Sequence, residues 1–271
     1  MSWEWLIFIF LGLLAGTIGS IAGLGGGIII VPALLAIGTL LPDYQHITPQ
    51  LAVGTSLLLI VISSLSSTLS YSKQKRVDFR SGILFFISSG PGALIGAYGS
   101  GFVDERVFNI AFGLLMILVV ILLSINFQGK ERTINWSIKR EFTDPSGETY
   151  YYGYNRTSAL LISFIVGVFA GFFGIGGGAL MVPMMIILFR FPPHVATATS
   201  MFVMCLSAIT GSVSHLVQDN IFWQAVLLIA PGAWLGGKLG AWISVRMSGR
   251  TLLIAFRVVI VLVAIRMIAI G

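Results

Sequence analysis

The stretch Gly23-Leu-Gly-Gly-Gly-Ile-Ile-Ile-Val-Pro32 decides how this chain folds, because four of its first five residues are glycine and it interrupts an apolar sequence. It recurs as Gly174-Ile-Gly-Gly-Gly-Ala-Leu-Met-Val-Pro183, with six of ten positions identical. Glycine is among the least favourable residues in a helix, after proline. A helix break that occurs twice in the same form predicts an element that each half of the chain needs.

Composition places the chain in a membrane. Of its 271 residues, 56% are hydrophobic and only 10% are charged, whereas a soluble domain carries roughly 25% charged residues. Several apolar runs approach the roughly 20 residues that cross a hydrocarbon core as a helix. They cover about 51–69, 83–101, 107–125, 159–173, 195–213, 222–243 and 251–270. We therefore predict an all-α polytopic protein of the cell inner membrane.

The polar residues argue against several other classes of protein. The first residues, MSWEW, lack the positive region of a signal peptide, so we expect no cleavable one. Cys205 is the single cysteine, which excludes a disulfide framework and a cysteine-based metal site. The net charge of +6 comes mostly from loops, so membrane topology explains it better than nucleic acid does. No nucleophile–base pair stands out, and we expect no enzymatic activity, no cofactor and no metal.

Two further motifs repeat in the same order. Ala52-Val-Gly-Thr-Ser56 resembles Ala196-Thr-Ala-Thr-Ser200, and Pro91-Gly-Ala-Leu-Ile-Gly96 resembles Pro231-Gly-Ala-Trp-Leu-Gly236. A fixed order of repeated motifs indicates an internal duplication. The predicted units are a first transmembrane repeat, a linker and a second transmembrane repeat, at 1–125, 126–157 and 158–271.

Each predicted repeat contains five apolar segments. They cover about 5–22, 28–40, 49–71, 80–101 and 106–125 in the first repeat, and about 158–173, 179–190, 194–216, 222–244 and 251–270 in the second. The first two segments together span 36 residues, which as one helix would reach about 54 Å, far beyond a ~30 Å hydrocarbon core. We therefore predict a helical hairpin in each repeat, with the two glycine tips meeting near the membrane midplane.

The loop charges predict the orientation of the repeats. With hairpins, the second repeat is inverted relative to the first, and twelve Lys and Arg residues fall on one side against Arg106 alone on the other. Parallel repeats would place Arg246 and Arg250 outside, against the positive-inside rule. We predict extracytoplasmic termini and a cytoplasmic 126–157 linker, and we interpret its tyrosines, 150–154, as an aromatic anchor at the interface.

The glycine motif has a functional and a structural interpretation. The N-terminus of the helix that follows it presents unpaired N–H groups and a positive dipole end, which suit an anion. Glycine also serves close helix packing in membranes. The repeated break favours substrate binding, as in inverted-repeat transporters. The candidate substrate-binding glycines are Gly25, Gly26, Gly27, Gly176, Gly177 and Gly178.

Hydroxyl groups follow one face of the third segment in each repeat. Ser56, Ser63 and Ser70 are spaced by seven residues, so they lie within about 20° per step on a helix. Such hydroxyls can donate to an oxyanion and release it, or they can bond neighbouring backbone. The candidate substrate-binding hydroxyls are Thr55, Ser56, Ser63, Thr199, Ser200 and Ser207. Whether Lys238 or Arg257 contacts substrate is left open.

Together these motifs resemble the sulfite exporter TauE/SafE family. The resemblance rests on the duplicated G-x-G-G-G-x-x-x-V-P motif, on the Thr-Ser element about two dozen residues later and on Pro-Gly-Ala-x-x-Gly. It covers about 5–125 and 158–271 and implies transport of a small sulfur-containing anion, such as sulfite, thiosulfate or an organosulfonate. We expect a secondary transporter with alternating access, or else a passive anion channel. A homo-oligomer is possible, and direction and coupling ion stay open.

Overall fold

The computed structural model describes residues 4–124, 136–143 and 149–248, together with single positions between 251 and 265. Up to residue 248 these residues form nine α-helices and one β-hairpin. Six of the helices are long and apolar enough to cross a membrane. The expectation of a helical, polytopic membrane protein is thereby confirmed. Most of the segment predicted at about 251–270 and much of the linker lie outside the described residues, and the described positions between 251 and 265 are helical.

The helices follow the predicted segments closely. In the first half they are α1 (Glu4–Ala22), α2 (Gly27–Leu40), α3 (Pro49–Lys73), α4 (Phe79–Ser100) and α5 (Glu105–Ser124). In the second half they are α6 (Arg156–Phe173), α7 (Gly178–Ile187), α8 (Pro193–Val217) and α9 (Trp223–Ser244). Helix α7 stops before the predicted end at 190, where Arg190 adopts a left-handed conformation with φ of 55° that no helix tolerates.

Local capping explains where two of the long helices begin. The Thr48 hydroxyl accepts the Leu51 N–H at 3.3 Å, and Pro49 occupies the first turn of α3, where a missing N–H costs nothing. The Asp78 carboxylate accepts the Ser81 N–H at 3.1 Å at the start of α4. These caps fix the first turn of helices that carry candidate site residues.

Helices from the two halves are interleaved. Helix α1 lies against α9 and α4 lies against α6, and both pairs run parallel, since contacting positions rise together in the two sequences. Gly12 and Gly16 of α1 face the backbone of Ile229 and Ala233, where a Cβ atom would collide with the carbonyl oxygens. Small residues thus allow the backbones to touch, as is common between membrane helices.

The two longest helices cross at the centre of the molecule. Helices α3 and α8 have 25 residues each and run antiparallel, because Gly54 lies against His215, Leu57 against Gly211 and Val61 against Cys205. The repeated third segments therefore pack on each other in opposite directions.

The linker contains a β-hairpin that the sequence did not predict. Strand β1 (Ile138–Thr143) pairs antiparallel with β2 (Thr149–Tyr154). These strands are short and rich in charged residues and tyrosine, and such a composition in the sequence indicates a polar connection rather than a sheet. The hairpin is joined to the second half where the Gly153 N–H donates to the Phe189 carbonyl at 3.1 Å.

Two tyrosines of the hairpin anchor it to the protein rather than to lipid. Tyr152 and Tyr154 are buried, while Tyr151 is 71% exposed. The Tyr152 hydroxyl donates to the Asp78 carboxylate at 3.1 Å, and Arg140 Nε lies 3.8 Å from the same carboxylate. Burial, together with that carboxylate, raises the pKa of the Tyr152 hydroxyl, which therefore stays protonated and donates. The interpretation of the tyrosines as an interfacial anchor is wrong for Tyr152 and Tyr154.

The contact between α4 and α6 predicts a sharp difference between two glycines of one helix. A Cβ atom on Gly96 would collide with the Val168 carbonyl, whereas one on Gly99 would meet only the Phe172 ring at 3.8 Å. We expect Gly96→Ala to lose about 1–3 kcal/mol of stability through overpacking and Gly99→Ala to lose none. Thermal unfolding of the purified variants in detergent measures this difference. Equal melting temperatures for the two variants would contradict the backbone contact.

Candidate functional site

The repeated glycine motifs form two tight turns between short and long helices. In the first turn, residues 23–26 join α1 to α2, and in the second, residues 174–177 join α6 to α7. Six glycines have φ between 65° and 88°, which is the left-handed region. Side chains other than glycine pay roughly 1–2 kcal/mol there, so the sequence repeats glycine because the backbone requires it. These six residues are Gly23, Gly25, Gly26, Gly174, Gly176 and Gly177.

The two turns lie directly against each other. The Gly174 carbonyl of the second turn touches Gly27, and the Gly23 carbonyl of the first turn touches Gly178, so closely that neither glycine has room for a Cβ atom. The contacts are reciprocal, because each turn reaches the first residue of the other half's short helix. The structure therefore brings the candidate glycines of both halves into one cluster.

Serine hydroxyls tie each turn to the long helix of the opposite half. Ser56 of α3 donates to the Gly174 carbonyl at 2.8 Å, and Ser200 of α8 shares its proton between the Gly23 carbonyl at 3.2 Å and the Thr197 carbonyl of its own helix at 2.8 Å. Both hydroxyls are fully buried. In this arrangement they satisfy backbone carbonyls that the turns leave without a helical partner.

The two threonines beside these serines hold the start of other helices. The Thr55 hydroxyl accepts the Phe222 N–H at 2.9 Å, directly before α9, and the Thr199 hydroxyl accepts the Asp78 N–H at 3.0 Å, directly before α4. Their contacts are again reciprocal between the halves. The geometry gives both threonines a positioning role beside the glycine cluster.

Ser63 and Ser207 occupy matching positions but have different partners. Ser63 donates to the Gly25 carbonyl at 2.7 Å, within its own half. Ser207 instead shares a hydrogen bond of 2.7 Å with Ser89 of α4. In the part of the chain that the structure describes, Ser207 makes no bond to the corresponding carbonyl of Gly176.

A small cavity of about 10 Å³ lies beside the second glycine turn, which is about the space of one water molecule. Three candidate residues line it, namely Gly176, Gly177 and Ser207, and Ser89 joins them. The rest of the lining is apolar or glycine: Val166, Gly167, Ala170, Met181, Val203 and Met204. The first turn and the remaining candidate hydroxyls lie outside this lining.

The cavity offers hydrogen-bond donors without a fixed charge. None of the residues that line it is ionisable. Among the described residues, the amides of Gly177, Gly178 and Ala179 have no hydrogen-bond acceptor, as expected for the first turn of α7. The positive end of that helix dipole therefore adjoins the cavity. These donors suit a small anion, and the cavity admits one only if the helices around it move apart.

Several other candidates do not contribute. Lys238 is exposed on α9 and is not among the lining residues. Among the described residues no group of three or more His, Cys, Asp or Glu side chains could hold a metal ion. Ser89 was missed because the matching position in the second half is Ala233, so comparison of the repeats does not reveal it. Its position two residues before Pro91, at a helix kink, was the available signal.

Comparison with known proteins agrees with this architecture. The family profile described as Sulfite exporter TauE/SafE matches residues 8–267. The probable membrane transporter protein YunE of Bacillus subtilis (strain 168) is 49% identical over 268 residues, which are 98% of this chain and 97% of that protein. The probable membrane transporter protein MJ0441 of Methanocaldococcus jannaschii is 28% identical over 262 residues, 91% of this chain and 88% of that protein. No solved structure matches.

The left-handed turns predict that two equivalent glycines differ in their tolerance of alanine. A Cβ atom on Gly26 would lie 2.8 Å from the Ala15 carbonyl oxygen, whereas one on Gly177 would meet side-chain carbons at 3.1 and 3.3 Å. Both variants lose roughly 1–2 kcal/mol from the positive φ. We expect Gly26→Ala to unfold at a clearly lower temperature than Gly177→Ala. The Ala15 backbone can move aside less easily than the side chains that surround Gly177.

Thermal unfolding of both purified variants in one detergent tests this expectation. Gly38→Ala serves as a control within α2, because its Cβ atom would approach neighbours no closer than 3.2 Å at an ordinary φ. A Gly177→Ala variant that is less stable than Gly26→Ala would contradict the assigned backbone contacts.

Proposed function

Because this chain belongs to the sulfite exporter TauE/SafE family of membrane transporters, we propose that it moves a small sulfur-containing anion across the cytoplasmic membrane. The anion is sulfite, thiosulfate or an organosulfonate, and the mechanism is secondary transport by alternating access. The observation that carries the proposal is the charge-free cavity at the second glycine turn, with its helix N-terminus and two serines.

The proposed anion site combines backbone and side-chain donors. The amides of Gly177 and Gly178 receive the anion at the start of α7, beside Gly176, and Ser207 of α8 and Ser89 of α4 donate to it. Gly25, Gly26 and Gly27 form the matching turn of the other half. Ser56, Ser63, Ser200, Thr55 and Thr199 hold the two turns and the neighbouring helices in place.

Helix directions support two inverted repeats. Two parallel repeats would place the equivalent helices α3 and α8 in the same direction, but they run antiparallel. The parallel pairs α1–α9 and α4–α6 fit the same inversion, since a first and a fourth segment have opposite directions within one repeat. We infer repeats at 1–125 and 158–271, extracytoplasmic termini and a cytoplasmic 126–157 linker from these directions and the loop charges.

Equivalent glycines of α4 and α9 pack alike in the two halves. Gly96 lies against the Val168 carbonyl, six residues before the second glycine turn, and Gly240 lies against the Thr17 carbonyl, six residues before the first. This correspondence supports two repeats of one fold.

The serines of the cavity yield a direct prediction for transport. Loss of one hydrogen bond to a charged ligand costs about 1.5–3 kcal/mol, so we expect Ser207→Ala and Ser89→Ala each to reduce uptake of labelled thiosulfate roughly tenfold or more. Ser100→Ala is the matched control, because Ser100 is equally buried on α4 but bonds only the Ala97 carbonyl of its own helix.

Proteoliposomes provide the measurement and also separate the two transport mechanisms. A secondary transporter accumulates thiosulfate or sulfite against its gradient when a suitable ion gradient is imposed, whereas a passive channel only equilibrates it. Normal thiosulfate uptake by both serine variants would contradict the proposed anion site. Equilibration without accumulation under proton, sodium and potassium gradients would favour the channel.

The inverted repeat predicts opposite accessibility for two equivalent positions. Lys73 and Val217 end α3 and α8, and both are exposed. In a Cys205→Ala background, we expect an impermeant maleimide to label Val217→Cys in intact cells and to label Lys73→Cys only after the membrane is opened. Equal labelling of the two cysteines in intact cells would rule out the inversion.

A further inference from the structure

A second opening in the molecule has no part in the proposed transport site. Helices α5 and α6 meet where Phe108 and Phe112 pack on Phe173, with ring centroids 5.5 and 5.6 Å apart. Beyond this contact, towards the start of α6, a gap of about 290 Å³ lies between α5, α6 and α7. We call it the α5–α7 gap.

The walls of the α5–α7 gap are entirely apolar. Leu115 and Leu118 of α5 face Ile162 and Ile165 of α6 across it, and α7 closes its floor. Leu118 and Ile165 are 47% and 54% exposed, although both lie within apolar helices. A wall of this composition on a membrane helix meets hydrocarbon rather than water. The occupant that fits is a lipid chain.

Two arginines stand at one end of the gap. Arg156 is the first residue of α6, and Arg190 follows the lining residue Leu188 by two positions. The hydrogen bond from Gly153 to Phe189 brings these two chain segments together. Both arginines are exposed, and the Arg190 guanidinium lies 6.0 Å from the Trp136 ring centroid.

The linker fixes the position of both arginines. The Arg156 N–H donates to the Ser137 hydroxyl at 3.2 Å, beside Trp136, which contacts Arg190. The Arg156 backbone and the Arg190 side chain are therefore both held at the base of the hairpin. A pair of arginines at a helix end next to the bilayer attracts the phosphate of an anionic lipid.

The length of the gap matches a single membrane leaflet. Its α6 wall runs from Ile162 to Phe169, six to thirteen residues beyond Arg156, which is roughly 9–20 Å along a helix. One leaflet contributes about half of the ~30 Å hydrocarbon core. A phosphate at the arginines thus leaves its acyl chain at the depth of the gap.

We propose that the α5–α7 gap binds one acyl chain of an anionic phospholipid whose phosphate is held by Arg156 and Arg190. The bound lipid joins the last helix of the first half, α5, to the hairpin helices of the second half, α6 and α7. The gap shares the wall residue Val166 with the cavity at the glycine turn but takes a different ligand, so lipid binding can be tested without reference to the proposed transport function.

Lipid binding to the purified full-length protein tests the proposal without any transport measurement. The delipidated protein in detergent is titrated with dioleoyl phosphatidylglycerol, and native mass spectrometry and thermal unfolding follow the binding. We expect one tightly retained lipid and a higher melting temperature. Dioleoyl phosphatidylcholine and glycerol phosphate, which lack the anionic headgroup charge and the acyl chains respectively, should give neither effect.

Two pairs of variants separate the headgroup contact from the chain contact. Arg156→Gln combined with Arg190→Gln should weaken retention about 25-fold, a factor of about five for each cation. Arg246→Gln is the control, since Arg246 is also exposed and stacks on Trp242 at 3.7 Å, but at the end of α9. Leu118→Trp should fill the gap and prevent retention, whereas Leu114→Trp, at a 60% exposed position of α5 outside the gap, should not.

Several outcomes would overturn the proposal. Equal retention of phosphatidylcholine would show that the arginines do not recognise the headgroup charge. Equal stabilisation by glycerol phosphate would show that the gap does not bind an acyl chain. Unchanged phosphatidylglycerol retention by Leu118→Trp, together with a changed oligomeric state, would show that a second copy of the chain occupies the gap instead.

Discussion

A helix that turns back inside apolar protein leaves carbonyl oxygens without water to bond, and each unsatisfied group is costly there. In this molecule serine hydroxyls meet that requirement. Ser56 donates to Gly174, Ser200 to Gly23 and Ser63 to Gly25. Because two of these three bonds cross between the halves, neither glycine turn can form its full set of contacts alone. The crossing of α3 and α8 beside both turns follows from this constraint.

The halves share their backbone design and differ in their polar contacts. Ser63 bonds the carbonyl of its own turn, while the equivalent Ser207 bonds Ser89 and lines the cavity. The other half cannot form the second arrangement, because Ala233 occupies the position equivalent to Ser89. The position of the cavity therefore depends on a serine–alanine difference between α4 and α9.

Sequence patterns predicted the course of the helices well, because apolar length and glycine breaks depend on local chemistry. They also predicted that the glycines and hydroxyls belong to one region. They did not predict the partners of the hydroxyls, since whether Ser56 faces a ligand or a carbonyl depends on a turn more than a hundred residues away. Ser89 was not predicted as a site residue because the equivalent residue in the other half is apolar. The β-hairpin was not predicted because its strands are short and polar.

The absence of charge in the cavity lining has a physical consequence for the proposed transport. A buried cation would bind an anion strongly, but it would stay desolvated and unpaired whenever the site is empty. The Ser207 and Ser89 hydroxyls instead satisfy each other at 2.7 Å while no ligand is bound. An arriving anion exchanges that neutral bond for two charge-assisted bonds, and its departure restores the original pair. A site built from hydroxyls and a helix end can therefore bind and release within one transport cycle, where a fixed charge would favour only binding.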